Sequence, residues 1–376
     1  MVYGSYCMYR GYLTFLLLSI KMGRRGEKRS WDRIWNGKHG ILDPQDTISR
    51  LPENVLHHII SFLPSTDKDQ LQFLSRKWNR LYAQSQKKLF LKGVRLDEQK
   101  FSKSLVDVFP SVEDLSLEYY SGMKKLRLVN YKLKIIKLYC GSLKNLDLTT
   151  PHLEYFEFVG YRFDPCRIEL GICKQLRFVT LGGVAMDNMM FADCNSSFPV
   201  LQALTLFGCD MKGHINISSN SLDHLSLLRF KRPVDVTIDC PNLHFFEYSG
   251  SRIVPFLDLN MPYLEVARIE IYSDWNQKHD ELWYGRLIEM LGDLNHANLV
   301  VFITDSDKIL VIPKRYREIL VPPLKGFVKL VTWSTYISRY YADLINSFLW
   351  LSPDIMSIAA QCRSTADAFR NRDYTT

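Results

Sequence analysis

The stretch SVEDLSLEYYSGMKKLRLVNYKLKIIKLYC (residues 111–140) decides the fold. Three times in it an apolar residue is followed by two others, a second apolar residue, one other and a third. The copies are Val112-x-x-Leu115-x-Leu117, Met123-x-x-Leu126-x-Leu128 and Leu133-x-x-Ile136-x-Leu138. The alternation at the end of each copy is the period of a strand with one buried face. In the register of the first and third copies, the pattern returns at Leu153-x-x-Phe156-x-Phe158, Leu176-x-x-Val179-x-Leu181 and Leu201-x-x-Leu204-x-Leu206. It goes on at Leu222-x-x-Leu225-x-Leu227, Leu243-x-x-Phe246-x-Tyr248 and Leu264-x-x-Ala267-x-Ile269. Successive starts lie 21, 20, 23, 25, 21, 21 and 21 residues apart, which is the mark of a repeat array. One such turn has nothing to close it. Stacking turns about 4.7–4.9 Å apart pairs their strands and joins their apolar residues into one spine. A period this short leaves little room for a helix, and a further intermediate copy, Leu143-x-x-Leu146-x-Leu148, predicts extended structure there too. Flat, β-rich, gently curved turns are expected.

Beyond residue 270 the units lengthen. Leu282, Arg286, Leu287, Met290, Leu291 and Leu294 recur at helical spacing, and Asn298–Ile303 reads as a strand. A strand at Phe327–Trp333, a helix at Tyr340–Leu351 and a strand at Asp354–Ala359 are expected to follow. In the other direction, residues 82–108 read as a link, with a short helix at Gln84–Phe90 and a strand at Gly93–Leu96.

Upstream of the link lies ISRLPENVLHHIISFLPSTDKDQLQFLSRKWNRL (residues 48–81), which reads as two short amphipathic helices around a proline corner. Pro52 takes the first helical position, where its missing N–H costs nothing. Val55, Leu56, Ile59, Ile60, Phe62 and Leu63 form a wide apolar stripe, and Pro64 ends the helix. Ser65-Thr66-Asp67 caps a second helix carrying Leu71, Leu74, Trp78 and Leu81. Two such helices cannot cover all this surface between themselves, so a partner is expected: the rest of the chain or another protein.

The residues Leu51-Pro52-x-x-x-Leu56-x-x-Ile59, Phe62-Leu63-Pro64 and Leu74-Ser75-x-x-Trp78 closely resemble the F-box motif of plant F-box proteins. Where many plant relatives carry Thr-Ser before the second half, this chain has Gln70-Leu71-Gln72-Phe73. The repeats resemble leucine-rich repeats, and VDVTIDCPNLHFFEYSG (residues 234–250) and SFLWLSP (residues 347–353) are especially similar to plant F-box/leucine-rich-repeat proteins. The resemblance implies an α/β chain, a leucine-rich-repeat solenoid (horseshoe) preceded by a small all-α F-box domain. It places the F-box at residues 46–92 and the solenoid at 93–361, with 1–45 a disordered leader or mis-assigned N-terminus and 362–376 a frayed tail. It implies that Leu51, Pro52, Val55, Leu56, Ile59, Leu63, Pro64, Leu74 and Trp78 dock a Skp-type adaptor, and through it a cullin, in an SCF (Skp-cullin-F-box) ubiquitin ligase. The solenoid would hold a protein substrate, with no catalysis by the chain itself and a cytoplasmic or nuclear location.

The totals agree with this. Of 376 residues 47% are apolar and 23% charged, which excludes a wholly disordered chain. The formal charge of +8 is spread thinly, and the cluster Arg24, Arg25, Lys28 and Arg29 is too short for a nucleic-acid surface. Eight cysteines include no C-x-x-C pair and none at zinc-ligand spacing to histidine; Cys140, Cys209 and Cys240 read as small buried hydrophobes. No cofactor or metal is expected: phosphate loops, H-E-x-x-H and G-x-S-x-G elbows are absent, and Gly182-Gly183 reads as a corner. Adjacent His57 and His58 do not have the helical spacing of a metal pair. Glu113, Glu118, Asp147, Glu154, Glu157, Asp223 and Glu247 read as a solvated strand face, a minority of them available for recognition. An apolar run from Tyr12 to Ile20 is too short to span a bilayer, so no membrane partner is expected; either translation starts at Met22 or residues 1–40 are a disordered leader. That run, with the sequons at Asn195 and Asn216, supports the alternative of an extracellular leucine-rich-repeat ligand-binding protein.

Overall fold

A computed structural model describes residues 51–61, 76–139, 143–160, 166–185, 190–210, 213–230, 235–251, 253, 256–272, 279–304, 309, 311–324, 328–334, 341–352 and 357–362. The chain divides into two compact units: residues 1–87 with 103–112, and residues 88–102 with 113–376.

In the first unit, helix α1 (Glu53–Ser61) packs against α2 (Arg76–Ser85). The helix starts one residue later than expected, because Pro52 stands just outside it. The Pro52 carbonyl accepts the amides of Val55 and Leu56 at 3.0 and 3.1 Å. Pro64 and the Ser65-Thr66-Asp67 cap lie outside the described residues, as do Phe62, Leu63, Leu71 and Leu74.

The link differs from expectation. Helix α2 ends at Ser85, and Lys88–Lys92 is a strand, β1, where a helix was expected at Gln84–Phe90. Leu89 and Leu91 alternate with Lys88, Phe90 and Lys92, and that two-residue period prevails once the segment has a neighbouring strand to pair with. Gly93–Leu96 holds only an isolated bridge from Arg95 to Ser121, followed by helix α3 (Glu98–Asp107). Asp97 caps α3 by accepting the Lys100 amide at 3.0 Å.

In the second unit the early strands are β2 (Asp114–Glu118), β3 (Lys125–Val129), β4 (Ile135–Tyr139), β5 (Asn145–Thr149), β6 (Tyr155–Val159), β7 (Arg167–Glu169) and β8 (Phe178–Gly182). After helix α4 (Cys194–Ser197) come β9 (Ala203–Phe207), β10 (His214–Ser218), β11 (His224–Leu228), β12 (Asp235–Asp239), β13 (Phe245–Gly250), β14 (Phe256–Asn260) and β15 (Val266–Ile271). Helix α5 (Glu281–Asp293), β16 (Leu299–Thr304), α6 (Lys314–Arg317), β17 (Val328–Ser334), α7 (Tyr341–Leu351) and β18 (Ser357–Cys362) complete it.

Among the described residues these strands form a twelve-stranded parallel sheet in the order β1-β2-β4-β6-β8-β9-β11-β13-β15-β16-β17-β18. Two three-stranded sheets, β3-β5-β7 and β10-β12-β14, come from the second half of each turn. The large sheet is in register. Leu115, Ile136, Phe156, Val179, Leu204, Leu225, Phe246, Ala267 and Val300 lie side by side, and so do the residues two further on. All of them are buried, as is each repeat's first apolar residue from Val112 to Leu264. Each turn thus adds three side chains to a continuous spine. The intermediate copies at Met123 and Leu143 do form strands, and Leu126, Leu128, Leu146 and Leu148 close the core from the other side. Phe246 of β13 meets Phe256 of β14 edge-on at 5.7 Å across it.

The longer closing units also form. Strands β16, β17 and β18 begin 29 residues apart, with Lys329 of β17 paired to Ser357 of β18; the expected start of that strand at Asp354 lies outside the described residues. Asp280 caps α5 by accepting the Trp283 amide at 3.0 Å. No helix of the described residues is long and apolar enough to cross a membrane.

Candidate functional site

The apolar positions of α1 fall into two stripes. Leu56 and Ile60, four apart, are buried by the protein's own chain, as is Leu81 of α2. Pro52, Val55 and Ile59, three and four apart, form the neighbouring stripe; Pro52 is exposed, Val55 38% exposed and Ile59 half-buried. Leu51, also half-buried, is held where its carbonyl accepts a hydrogen bond from Lys77 Nζ of α2 at 3.3 Å. Of the nine residues expected to meet an adaptor, Leu51, Pro52, Val55 and Ile59 therefore stand together with surface to offer. Leu56 is wholly covered. Leu63, Pro64 and Leu74 lie outside the described residues, and of Trp78 only its place in α2 is described.

The second unit offers the outer face of the large sheet, built from the x positions of the motif. Its acids are mostly taken up by neighbouring strands. Lys88 pairs with Asp114 at 3.5 Å, Lys92 with Glu118 at 3.2 Å, and Arg268 with Glu247 at 3.1 Å. Ser226 also donates to Glu247, and Lys134 pairs with Glu113 at 3.2 Å. On β3 and β5, Arg127 pairs with Asp147 at 3.2 Å. Asp223 lies between the Nδ1 atoms of His224 and His244, at 2.5 and 2.6 Å. Among the described residues no group of three such side chains is placed to hold a metal ion. The pairs are solvent-exposed and each is worth roughly 0–1 kcal/mol, so they fix the surface more than they stabilise the fold.

With the charges paired, the aromatic residues stand out. Phe90 of β1, Tyr139, Tyr155, Phe178, Phe207 and Phe245 all point outward, Phe90 and Phe178 being exposed. Tyr155 and Phe178 lie 6.2 Å apart between centroids, and His224 stacks on Phe245 at 5.4 Å. Tyr155 donates to Glu157 at 2.9 Å, and Tyr139 bonds the same carboxylate. Burial first, and then the Glu157 hydrogen bond and charge, push the Tyr155 hydroxyl up to about 12 and raise that of Tyr139 further. Both stay protonated donors. Lys137 Nζ lies 5.0 Å from the Tyr155 ring centroid. Tyr155, Phe178 and Phe245 occupy x positions of the motif, and Tyr139 and Phe207 the residue just after it, but a reading of the x positions by charge passes over them.

The two glycines at the end of β8 are a corner, as expected. Gly183 has φ +61 and its amide donates to Phe207 O at 2.8 Å, so it is not available to a phosphate. Cys166, Cys173, Cys194, Cys209 and Cys240 are buried free thiols; burial pushes Cys166, Cys194, Cys209 and Cys240 up to about 12. Cys140 lies outside the described residues.

Known proteins resemble this chain in sequence. The F-box domain family matches residues 48–81, which hold α1 and the first part of α2. An F-box/LRR-repeat protein of Arabidopsis thaliana is 25% identical over 365 residues, covering 90% of this chain and 75% of its own length. A second from the same plant is 25% identical over 275 residues, covering 63% of this chain and 52% of its own length. An F-box/FBD/LRR-repeat protein of that plant is 24% identical over 328 residues, 70% of this chain and 64% of its length. The chain thus spans between about half and three quarters of these relatives. A matched F-box, a solenoid of parallel strands after it in the sequence and similarity along most of the chain together make it similar to the plant F-box/leucine-rich-repeat proteins.

Proposed function

We propose that this protein is the substrate-recognition subunit of an SCF ubiquitin ligase. The F-box helices dock a Skp-type adaptor, which links the chain to a cullin, and the outer face of the large sheet holds a protein target for ubiquitination. The observation that carries the reading is the uncovered stripe Leu51, Pro52, Val55 and Ile59 within a matched F-box. Apolar surface displayed on a helix is stabilised by a partner, at roughly 25 cal/mol per Å² removed from water. The aromatic outer face supports the second contact, because Tyr, Phe and Arg are the residues that enrich protein interfaces. The chain then acts by tethering: a target held on the same polypeptide as the adaptor site meets the ubiquitin-carrying enzyme at high effective concentration. Such a role belongs in the cytoplasm or nucleus, where adaptor and cullin reside.

The test is co-purification from plant tissue with the proteasome blocked, comparing the intact chain with Val55→Asp/Ile59→Asp and with Tyr155→Ala/Phe178→Ala. The adaptor is expected to be lost only from the first variant, and ubiquitinated clients to be depleted from the second. Adaptor retained by Val55→Asp/Ile59→Asp, or clients indifferent to the sheet face, would overturn the reading.

A further inference from the structure

The corners that follow the outer-face strands repeat along the sheet, each closed by an amide donating to the end of the next strand. Gly183 donates to Phe207 O at 2.8 Å and Gly208 to Leu228 O at 2.7 Å, with φ +61 and +56. Arg229 takes the equivalent place after β11, donating to Ser249 O at 2.5 Å with φ +52. Left-handed backbone suits glycine and disfavours a residue with a Cβ. An arginine where two preceding turns use glycine is therefore held there at a cost, and its side chain shows what the cost secures.

The guanidinium of Arg229 lies between two rings, 6.0 Å from the Phe207 centroid and 5.3 Å from that of Tyr272. Arg229 Nη2 donates to the Tyr272 hydroxyl at 3.3 Å, and that oxygen also receives Ser249 Oγ at 3.2 Å. The head group is thus oriented by rings and a hydroxyl. Arg229 is half-buried, and no carboxylate of the described residues forms an ion pair with it. A guanidinium carries five donors in a planar fork that matches a carboxylate in a bidentate way, so most of this fork remains unfilled.

We propose that Arg229 is the specificity-determining residue of the target-binding face, reading the carboxylate of an aspartate or glutamate in an extended segment of the client protein. The inference rests on the proposed role of the large sheet's outer face. Phe207 and Leu228, outward-facing at the ends of the adjoining strands, supply apolar contact beside the ion pair, so the client's acid is flanked by an apolar residue.

The test pans random twelve-residue peptides against the full chain co-expressed with its adaptor, in four forms: wild type, Arg229→Gly, Arg229→Lys and Tyr155→Ala/Phe178→Ala. Glycine accepts the left-handed corner, so Arg229→Gly is expected to keep or raise the melting temperature while removing the fork. Wild type should enrich peptides with one fixed acidic position. Changing that acid to its amide should weaken binding at least tenfold, Arg229→Gly should abolish the acidic preference, and Arg229→Lys should restore it only in part. Peptides that need the aromatic face yet show no acidic position, or an acidic preference that survives Arg229→Gly, would overturn the proposal and leave the face as the binding site. Peptides indifferent to Tyr155 and Phe178 would overturn the reading of the face itself. A melting temperature several degrees lower in Arg229→Gly would show the arginine to be a structural corner residue and would also overturn it.

Discussion

At Gly183 the backbone leaves room for nothing larger. A Cβ built there would stand 2.5 Å from Gly160 O, in addition to the positive φ. Gly183→Ala is expected to cost about 1–3 kcal/mol, the range for a residue forced into disfavoured backbone, read as a fall in the urea midpoint; an unchanged midpoint would show that the corner relaxes freely. The buried thiols make a second prediction. A thiol with its pKa raised by burial holds its proton more tightly when folded. Its stabilising contribution is intact below the unfolded value of 9.0 and is lost as pH rises toward about 12. The loss is about 1.4 kcal/mol per thiol per pH unit in that window, so denaturation at pH 10 should need less urea than at pH 8. For the same reason Cys166, Cys173, Cys194, Cys209 and Cys240 are expected to resist a thiol reagent in the native protein.

Elements here are held by repetition more than by local propensity. Phe156 sits fully buried in register between Ile136 and Val179, so Phe156→Ala should cost about 3–5 kcal/mol, measured by equilibrium unfolding. The late helices depend on polar detail instead. Ser347 of α7 is buried, donates to Asp343 O at 2.7 Å and accepts the Ile312 amide at 3.0 Å. Ser347→Ala strands that amide and should cost about 1–3 kcal/mol, with Ser347→Thr the milder change. The motif-bearing strands of the large sheet, with β3 and β5, were legible in the sequence because each buries alternate residues at a fixed period, and so was α5 from its helical spacing; β7, β10, β12 and β14 were not assigned from it. What was not legible was context. Lys88–Lys92 pairs with a strand more than twenty residues away, and a local reading offers no hint of that partner. At the candidate docking surface, the sequence shows one wide stripe on α1. Only packing divides it into a buried pair, Leu56 and Ile60, and an accessible set, Pro52, Val55 and Ile59.

For the whole molecule, one polypeptide carries two kinds of surface: a helical pair with an apolar stripe left open, and a sheet face whose charges are paired and whose aromatics are displayed. In the proposed function Val55 carries the first contact; it lies outside the core, so its substitution separates docking from folding as Leu56 does not. The most direct measurement is calorimetric titration of the purified full chain with a purified plant Skp adaptor, comparing wild type with Val55→Asp. The account predicts saturable one-to-one binding tighter than about 1 μM for wild type, and at least about tenfold weaker binding for the variant, a loss of about 1.4 kcal/mol. An adaptor that does not bind the intact chain, or binds both forms alike, would contradict it.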